Sequence, residues 1–285
     1  MQSVKRRGFF TAPLFIFKTG GIVMLIKTGI VLSFLTLLIT GTACNSETGG
    51  DETVKLSIAA ASDLGPAFNA LKDDFEEESG MALSFSFGST GQLADQIENG
   101  APFDVFASAN VSFIDRLIES DDIIETSATP YAFGRIGLMM NSENEGLAET
   151  IEDLKSPDIG RISIANPAHA PYGMAAEEAL ISSGLHEDIK DKLVYGRNIT
   201  DAFVQIETGN AEVGIIAYSL GIANEDGYDF ILLDDELHDP IEQVIGVVSY
   251  SDHTDEANAF IDFITTGAGK EIMENYGFVV PEESS

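Results

Sequence analysis

From Val54 onward, short continuous apolar runs alternate with stretches whose apolar residues recur at helical spacing. "KLSIAAA" predicts a strand, and Leu64, Ala67, Phe68, Leu71 and Phe75 then follow a helical period that closes near Gly80. "MALSFSFG" alternates as a strand does, "TGQLADQIENG" reads as a short helix closed by Gly100, and "DVFAS" as another strand. Phe113, Ile114, Leu117 and Ile118 mark the next helix. "RIGLMMN", "RISIAN", "VGIIAY" and "EQVIGVVS" read as further strands, and "AAEEALISSG", "DAFVQIETG" and "DEANAFIDFITTGAGKEIMENYG" as helical stretches. Strand and helix in alternation imply an α/β fold with mixed, mostly parallel sheets flanked by helices. No Gly-x-Gly-x-x-Gly or Walker-type stretch is present, so a nucleotide-binding fold loses its usual support.

The junctions between the two patterns share a chemistry. "SIAAASD" passes into a helix at Ser62, and "SFSFGSTGQL" at Ser89 or Thr90. "ANPAHAPYGMAAEEAL" does so near Tyr172 and Gly173, "GRNITDAFVQI" around Ile199 and Thr200, and "VGIIAYSLGIA" at Ala217, Tyr218 and Ser219. Ligands of α/β sheets sit beyond the carboxyl ends of the strands. Helix N-termini there offer unpaired N–H groups and about half a positive charge each. Any one such junction is a cap; five together suggest a cleft for a small anionic ligand.

Charge makes that suggestion odd. The 285 residues carry 15 Lys and Arg against 47 Asp and Glu, a net charge of −32. The first 44 residues hold five of the basic side chains and no acidic one, so the remainder stands at a formal −37. This excess excludes nucleic acid as a partner, since that needs basic patches, and reads as a solvated surface of the halophile type. The basic N-terminus is an export signal. "MLIKTGIVLSFLTLLITGTACNS" has a lysine, an apolar run and then small residues before Cys44, and Met24 is the natural start. Cys44 is the only cysteine, which excludes an intrachain disulfide and a thiolate metal cluster. Its place after "GTA" resembles a lipobox, with Cys44 lipidated, although Gly41 stands where a larger apolar residue is usual. Residues 45–52 read as a flexible tether.

Several stretches together resemble the molybdate-binding proteins of ABC importers: "AAASDL", "GSTGQLADQIENGAPFDVFASA", "ANPAHAPYGMAAEEAL", "GRNITDAFVQIETGNAEVGIIAYS" and "GKEIMENYGF". The resemblance spans residues 54–281, and the second block is its most specific part. It implies a two-lobe periplasmic-binding-protein fold of type II. Residues 53–132 with 241–285 would form the first lobe and 133–240 the second, with Pro130, Tyr131 and "EQVIG" near two hinge crossings. It further implies an exported, lipid-anchored monomer that hands its ligand to a permease and an ATPase, with no cofactor and no metal ligated directly.

Carried over by position, Ser62 donates from its hydroxyl and its N–H. Thr90 is the second contact of the first lobe, with Ser89 as competitor. Tyr172 and Ile199 offer backbone N–H groups. At the last position many relatives use a tyrosine hydroxyl; here Ala217 aligns with it and Tyr218 follows, so either the Ala217 backbone or the Tyr218 side chain serves. Asp63 reads as a cap or surface carboxylate, and His169 as a surface loop residue. Neutral donors suit a fully ionised dianion such as molybdate, tungstate or sulfate, whereas a protonated phosphate also needs an acceptor. An enzyme built on a Ser62–His169 pair is the rival of another class, and it lacks the Gly-x-Ser-x-Gly elbow. A calcium-binding surface lipoprotein lacks EF-hand spacing.

Overall fold

The computed structural model describes residues 53–281. The export signal, Cys44 and the tether of residues 45–52 lie outside the described residues. The chain builds two five-stranded mixed sheets, each with helices packed on it. The first contains β1 (Lys55–Ala61), β2 (Ala82–Gly88), β3 (Val105–Ser108), β4 (Thr129–Gly134) and β10 (Ile241–Val247), in the order β2-β1-β3-β10-β4. The second contains β5 (Ile136–Asn141), β6 (Ile162–Ala165), β7 (Leu193–Gly196), β8 (Val213–Ala217) and β9 (Tyr228–Leu232), in the order β7-β6-β8-β5-β9. The helices are α1 (Gly65–Ser79), α2 (Thr90–Glu98), α3 (Val111–Glu119), α4 (Pro171–Ser182), α5 (His186–Ile189), α6 (Ile199–Glu207), α7 (Tyr218–Ala223), α8 (Thr254–Thr265) and α9 (Gly267–Asn275).

In each sheet three strands run parallel, β2-β1-β3 and β7-β6-β8. The other pairings, through β10 and β5, are antiparallel. The sheets are therefore less parallel than helix–strand alternation alone suggests. β5 and β10 are the strands that arrive from the other sheet, and they enter against the direction of their neighbours. Only Arg135 separates β4 from β5, and β9 leads through residues 233–240 into β10. β4 and β10 are paired, with Gly134 opposite Ile241, so the two passages between sheets begin side by side. A register shift at Gln243/Val244 marks this ladder, and such a bulge re-aims side chains locally.

The elements follow from local chemistry. α1 buries Ala67, Phe68, Leu71 and Phe75, one helical face, and stops at Gly80, whose φ of 70° is left-handed. Phe68 and Phe75 pack edge-on against Phe260 of α8, with centroids 5.7 and 5.3 Å apart. β1 lies between two neighbours, and its residues from Ile58 to Ala61 are almost all sealed from water. The three strands that sequence pattern does not reveal, β4, β7 and β9, are all edge strands. β4 carries Pro130, which an edge tolerates because one side of its ladder is free.

Candidate anion-binding cleft

Four helical N-termini open onto one small cavity. A 3₁₀ turn, Ser62–Leu64, starts at the end of β1 and leads into α1. Thr90 is the first residue of α2, Tyr172 the second of α4 and Ile199 the first of α6. N–H groups in a first turn have no intrahelical partner, and their dipoles favour negative charge. Ser62, Ser89, Thr90, Tyr172 and Ile199 all line this cavity, and no lysine or arginine does. Among the described residues no cluster of three or more His, Cys, Asp or Glu side chains is placed to hold a metal ion.

The hydroxyls differ in what they are free to do. Ser62 is 6% exposed, and its Oγ is buried without a hydrogen-bond partner. Thr90 Oγ1 accepts one long bond from Ala109 N–H at 3.4 Å, which leaves its own proton unassigned. Ser89 Oγ is committed: it donates to the His169 carbonyl at 2.5 Å and lies 2.9 Å from His169 Nδ1. His169 is thus half-buried and tied across the cleft, not a free surface residue. Gly91 N–H also donates to that carbonyl at 3.0 Å.

Asp63 departs further from the sequence expectation. It is fully buried and itself lines the cavity beside Ser62, and Gln243 Nε2 donates to its Oδ2 at 2.8 Å. Tyr131 Oη donates to Gln243 Oε1 at 2.6 Å, and Gln243 Nε2 also donates to Tyr172 Oη at 2.9 Å. Burial pushes the Asp63 carboxyl up to about 6, against the opposing pull of hydrogen bonds from Gln243 and Tyr172. The Tyr131 and Tyr172 phenols are driven well above the ordinary range, first by burial and then by the nearby Asp63 carboxyl.

Two further bonds join the halves of the cleft. Thr200 Oγ1 donates to the Ser62 carbonyl at 3.1 Å, and Ser219 Oγ to the Asp63 carbonyl at 2.9 Å. Neither is visible as a pattern in sequence, and Gln243 shows only as a polar residue beside Glu242 at the start of an otherwise apolar strand. Ala217 and Tyr218 stand apart from the cavity-lining residues. Ala217 closes β8 and is wholly buried, while the Tyr218 ring lies against Phe230 at 5.3 Å and under the Arg135 guanidinium at 4.6 Å. A groove of ≈440 Å³ adjoins the cavity and shares Ser62 with it. Another cavity, ≈480 Å³, lies between α1 and α8–α9 around Phe75 and Phe263, away from these donors.

Residues 56–279 match the family of bacterial extracellular solute-binding proteins. The molybdate-binding protein ModA of Rhodobacter capsulatus is 35% identical over 205 residues, which cover 72% of this chain and 80% of that one. A putative ABC transporter substrate-binding lipoprotein of Bacillus subtilis, YvgL, is 26% identical over 88% of this chain and 98% of its own length. Among solved structures, the periplasmic molybdate-binding protein of Azotobacter vinelandii superposes with a TM-score of 0.75 at 26% identity, covering 80% of this chain and all of that one.

Proposed function

The chain belongs to the bacterial extracellular solute-binding proteins, a family of binding components and not of enzymes, and we propose that it captures molybdate outside the cytoplasm for an ABC importer. The observation that carries this reading is the Ser62 hydroxyl, buried and without a partner, where four helical N-termini meet and no cationic side chain lines the cavity. Relatives named for molybdate support the choice of ligand.

In this reading Ser62 gives its hydroxyl and N–H to the anion's oxygen atoms, Thr90 its hydroxyl, and Tyr172 and Ile199 their backbone N–H groups. All contacts are to oxygen, and none is to the metal. The lobes are residues 53–132 with 241–285 and residues 133–240, hinged where β4 and β10 leave the first sheet. Closure strengthens the bonds by excluding water. These five charge-assisted bonds of about 1.5–3 kcal/mol each, less desolvation, leave about 8 kcal/mol, a Kd near micromolar. Cys44 carries the lipid anchor, and the protein delivers its ligand as a monomer to a permease and an ATPase. Tungstate and sulfate are the competing ligands, and cavity size separates sulfate from molybdate.

Calorimetric titration with molybdate, tungstate, sulfate and phosphate tests the assignment; preference for sulfate over molybdate overturns it. Thr90→Ala weakens molybdate binding by about 1–3 kcal/mol, whereas Ser89→Ala, whose hydroxyl is held by His169, costs less than about 1 kcal/mol. The reverse order in the same titration moves the contact to Ser89. Salt gives a further test. A site of lysines loses anion affinity as salt screens it, but here screening relieves repulsion from the acidic surface. Molybdate affinity therefore holds or rises from low to molar sodium chloride, and a steep fall refutes the neutral-donor site.

A further inference from the structure

Asp63 is an anomaly in a cleft for dianions. Its carboxyl is sealed from water at the cavity that Ser62 also lines, and no lysine, arginine or histidine is among the groups that hold it. The hydrogen bonds around it have a fixed sense. Tyr131 Oη takes Gln243 Oε1, so the Gln243 amide must present both N–H bonds to Asp63 Oδ2 and Tyr172 Oη. The Tyr172 oxygen then accepts from Gln243, and its own proton goes to the Asp63 carboxyl. Oδ1 is left buried without a partner. Tyr172 sits in the first turn of α4, on the second-sheet side, while Asp63 and Gln243 belong to the first-sheet side. Gly134 makes room for the Tyr172 phenol, since a Cβ there would stand on it.

Among the described residues the titratable groups around Asp63 are few: His169 holds Ser89 at the far side of the cavity, and β10 adds Glu242 beside Gln243. β2 carries no charged residue, and α1 none before Lys72. From α6 comes Asp201, ion-paired with Arg197 at 2.6 Å, and from α7 Tyr218, covered by Arg135. β4 and α4 present Tyr131 and Tyr172, whose phenols stay neutral. A dianion against Ser62 and an ionised Asp63 would be like charges in one dry space, and one proton removes the conflict.

We propose that Asp63 is the positioning residue of this site, tying the first turn of α4 to Ser62, and that dianion capture is coupled to uptake of one proton from solvent onto Asp63 Oδ1. The proposal rests on the oxyanion reading above. The ligand-free carboxyl titrates at about 6, and the bound dianion raises it. Below that pH the proton is already in place and affinity is level. Above it, each binding event must draw a proton, and affinity falls by up to about tenfold per pH unit until the raised value is passed.

Calorimetry of the purified protein with dilute molybdate, from pH 6 to 8.5 in buffers of different ionisation enthalpy, counts the protons directly. The wild type takes up close to one proton at the middle of the range and binds more weakly as pH rises. Asp63→Asn binds with an affinity independent of pH and takes up none. A residue that merely supported the fold would not change the proton count. Should Asp63→Asn fail to fold, Tyr172→Phe keeps the backbone N–H but removes one bond to the carboxylate, and it shifts the onset of the affinity loss to higher pH. Molybdate binding with no proton uptake, or uptake unchanged in Asp63→Asn, overturns the proposal and leaves the oxyanion reading standing. Absence of oxyanion binding at every pH overturns both.

Discussion

Ser62→Ala lowers molybdate affinity roughly 10- to 150-fold, equivalent to about 1.5–3 kcal/mol for a bond to a charged ligand, and leaves the ligand-free protein as stable as before or slightly more so. The opposed signs come from the state of one hydroxyl. Ser62 Oγ is buried and no protein group partners it, so a bound acceptor offsets its desolvation cost. Alanine removes that cost and the bond together. The main-chain links survive the change, because Thr200 holds the Ser62 carbonyl and not its side chain. Thermal unfolding with and without molybdate, alongside calorimetry, reads both terms. A lower melting temperature with unchanged affinity would make Ser62 a structural hydroxyl and remove it from the site.

Ser62 was legible because its signal is local: an apolar strand ends on a hydroxyl at a helix start, and both halves of that pattern lie within a few residues. Thr90, Tyr172 and Ile199 share this property, and all three meet Ser62 at one cavity. β1, β2, β3, β6 and β8 were legible for a related reason, since burial or regular alternation leaves a run of one kind. What escaped depends on partners far along the chain. Asp63 meets Gln243 across 180 residues and Ser89 meets His169 across 80. A polar residue in either stretch looks like surface until the fold supplies its partner. Strands β4, β7 and β9 escaped because, unlike the regularly alternating edge strand β2, β4 carries Pro130, β7 is short and β9 is half-buried over most of its length, which leaves no periodic run. Tyr218 shows the converse hazard. Its place after a strand suggests a cleft residue, yet its ring is engaged by Arg135 and Phe230.

Gly173→Ala unfolds at a lower temperature than the wild type and binds molybdate more than tenfold more weakly. Helix propensity alone argues the other way, because alanine inside a helix is favoured over glycine by about 1 kcal/mol. Space decides the sign. A Cβ at residue 173 would stand on the Ala165 carbonyl, 2.7 Å from its carbon and 2.9 Å from the Asn166 carbonyl carbon. These are backbone atoms at the end of β6 and cannot rotate away as a side chain does. Overpacking of this kind costs about 1–3 kcal/mol, which exceeds the propensity gain. Relief requires the first turn of α4 to move off β6, and that turn carries the Tyr172 N–H and the phenol held by Gln243. Stability and affinity therefore fall together, unlike the opposed changes at Ser62. A Gly173→Ala protein with wild-type affinity and a raised melting temperature would mean that α4 does not lean on β6 this closely. The second row of donors would then not be held where an oxyanion at Ser62 can reach it.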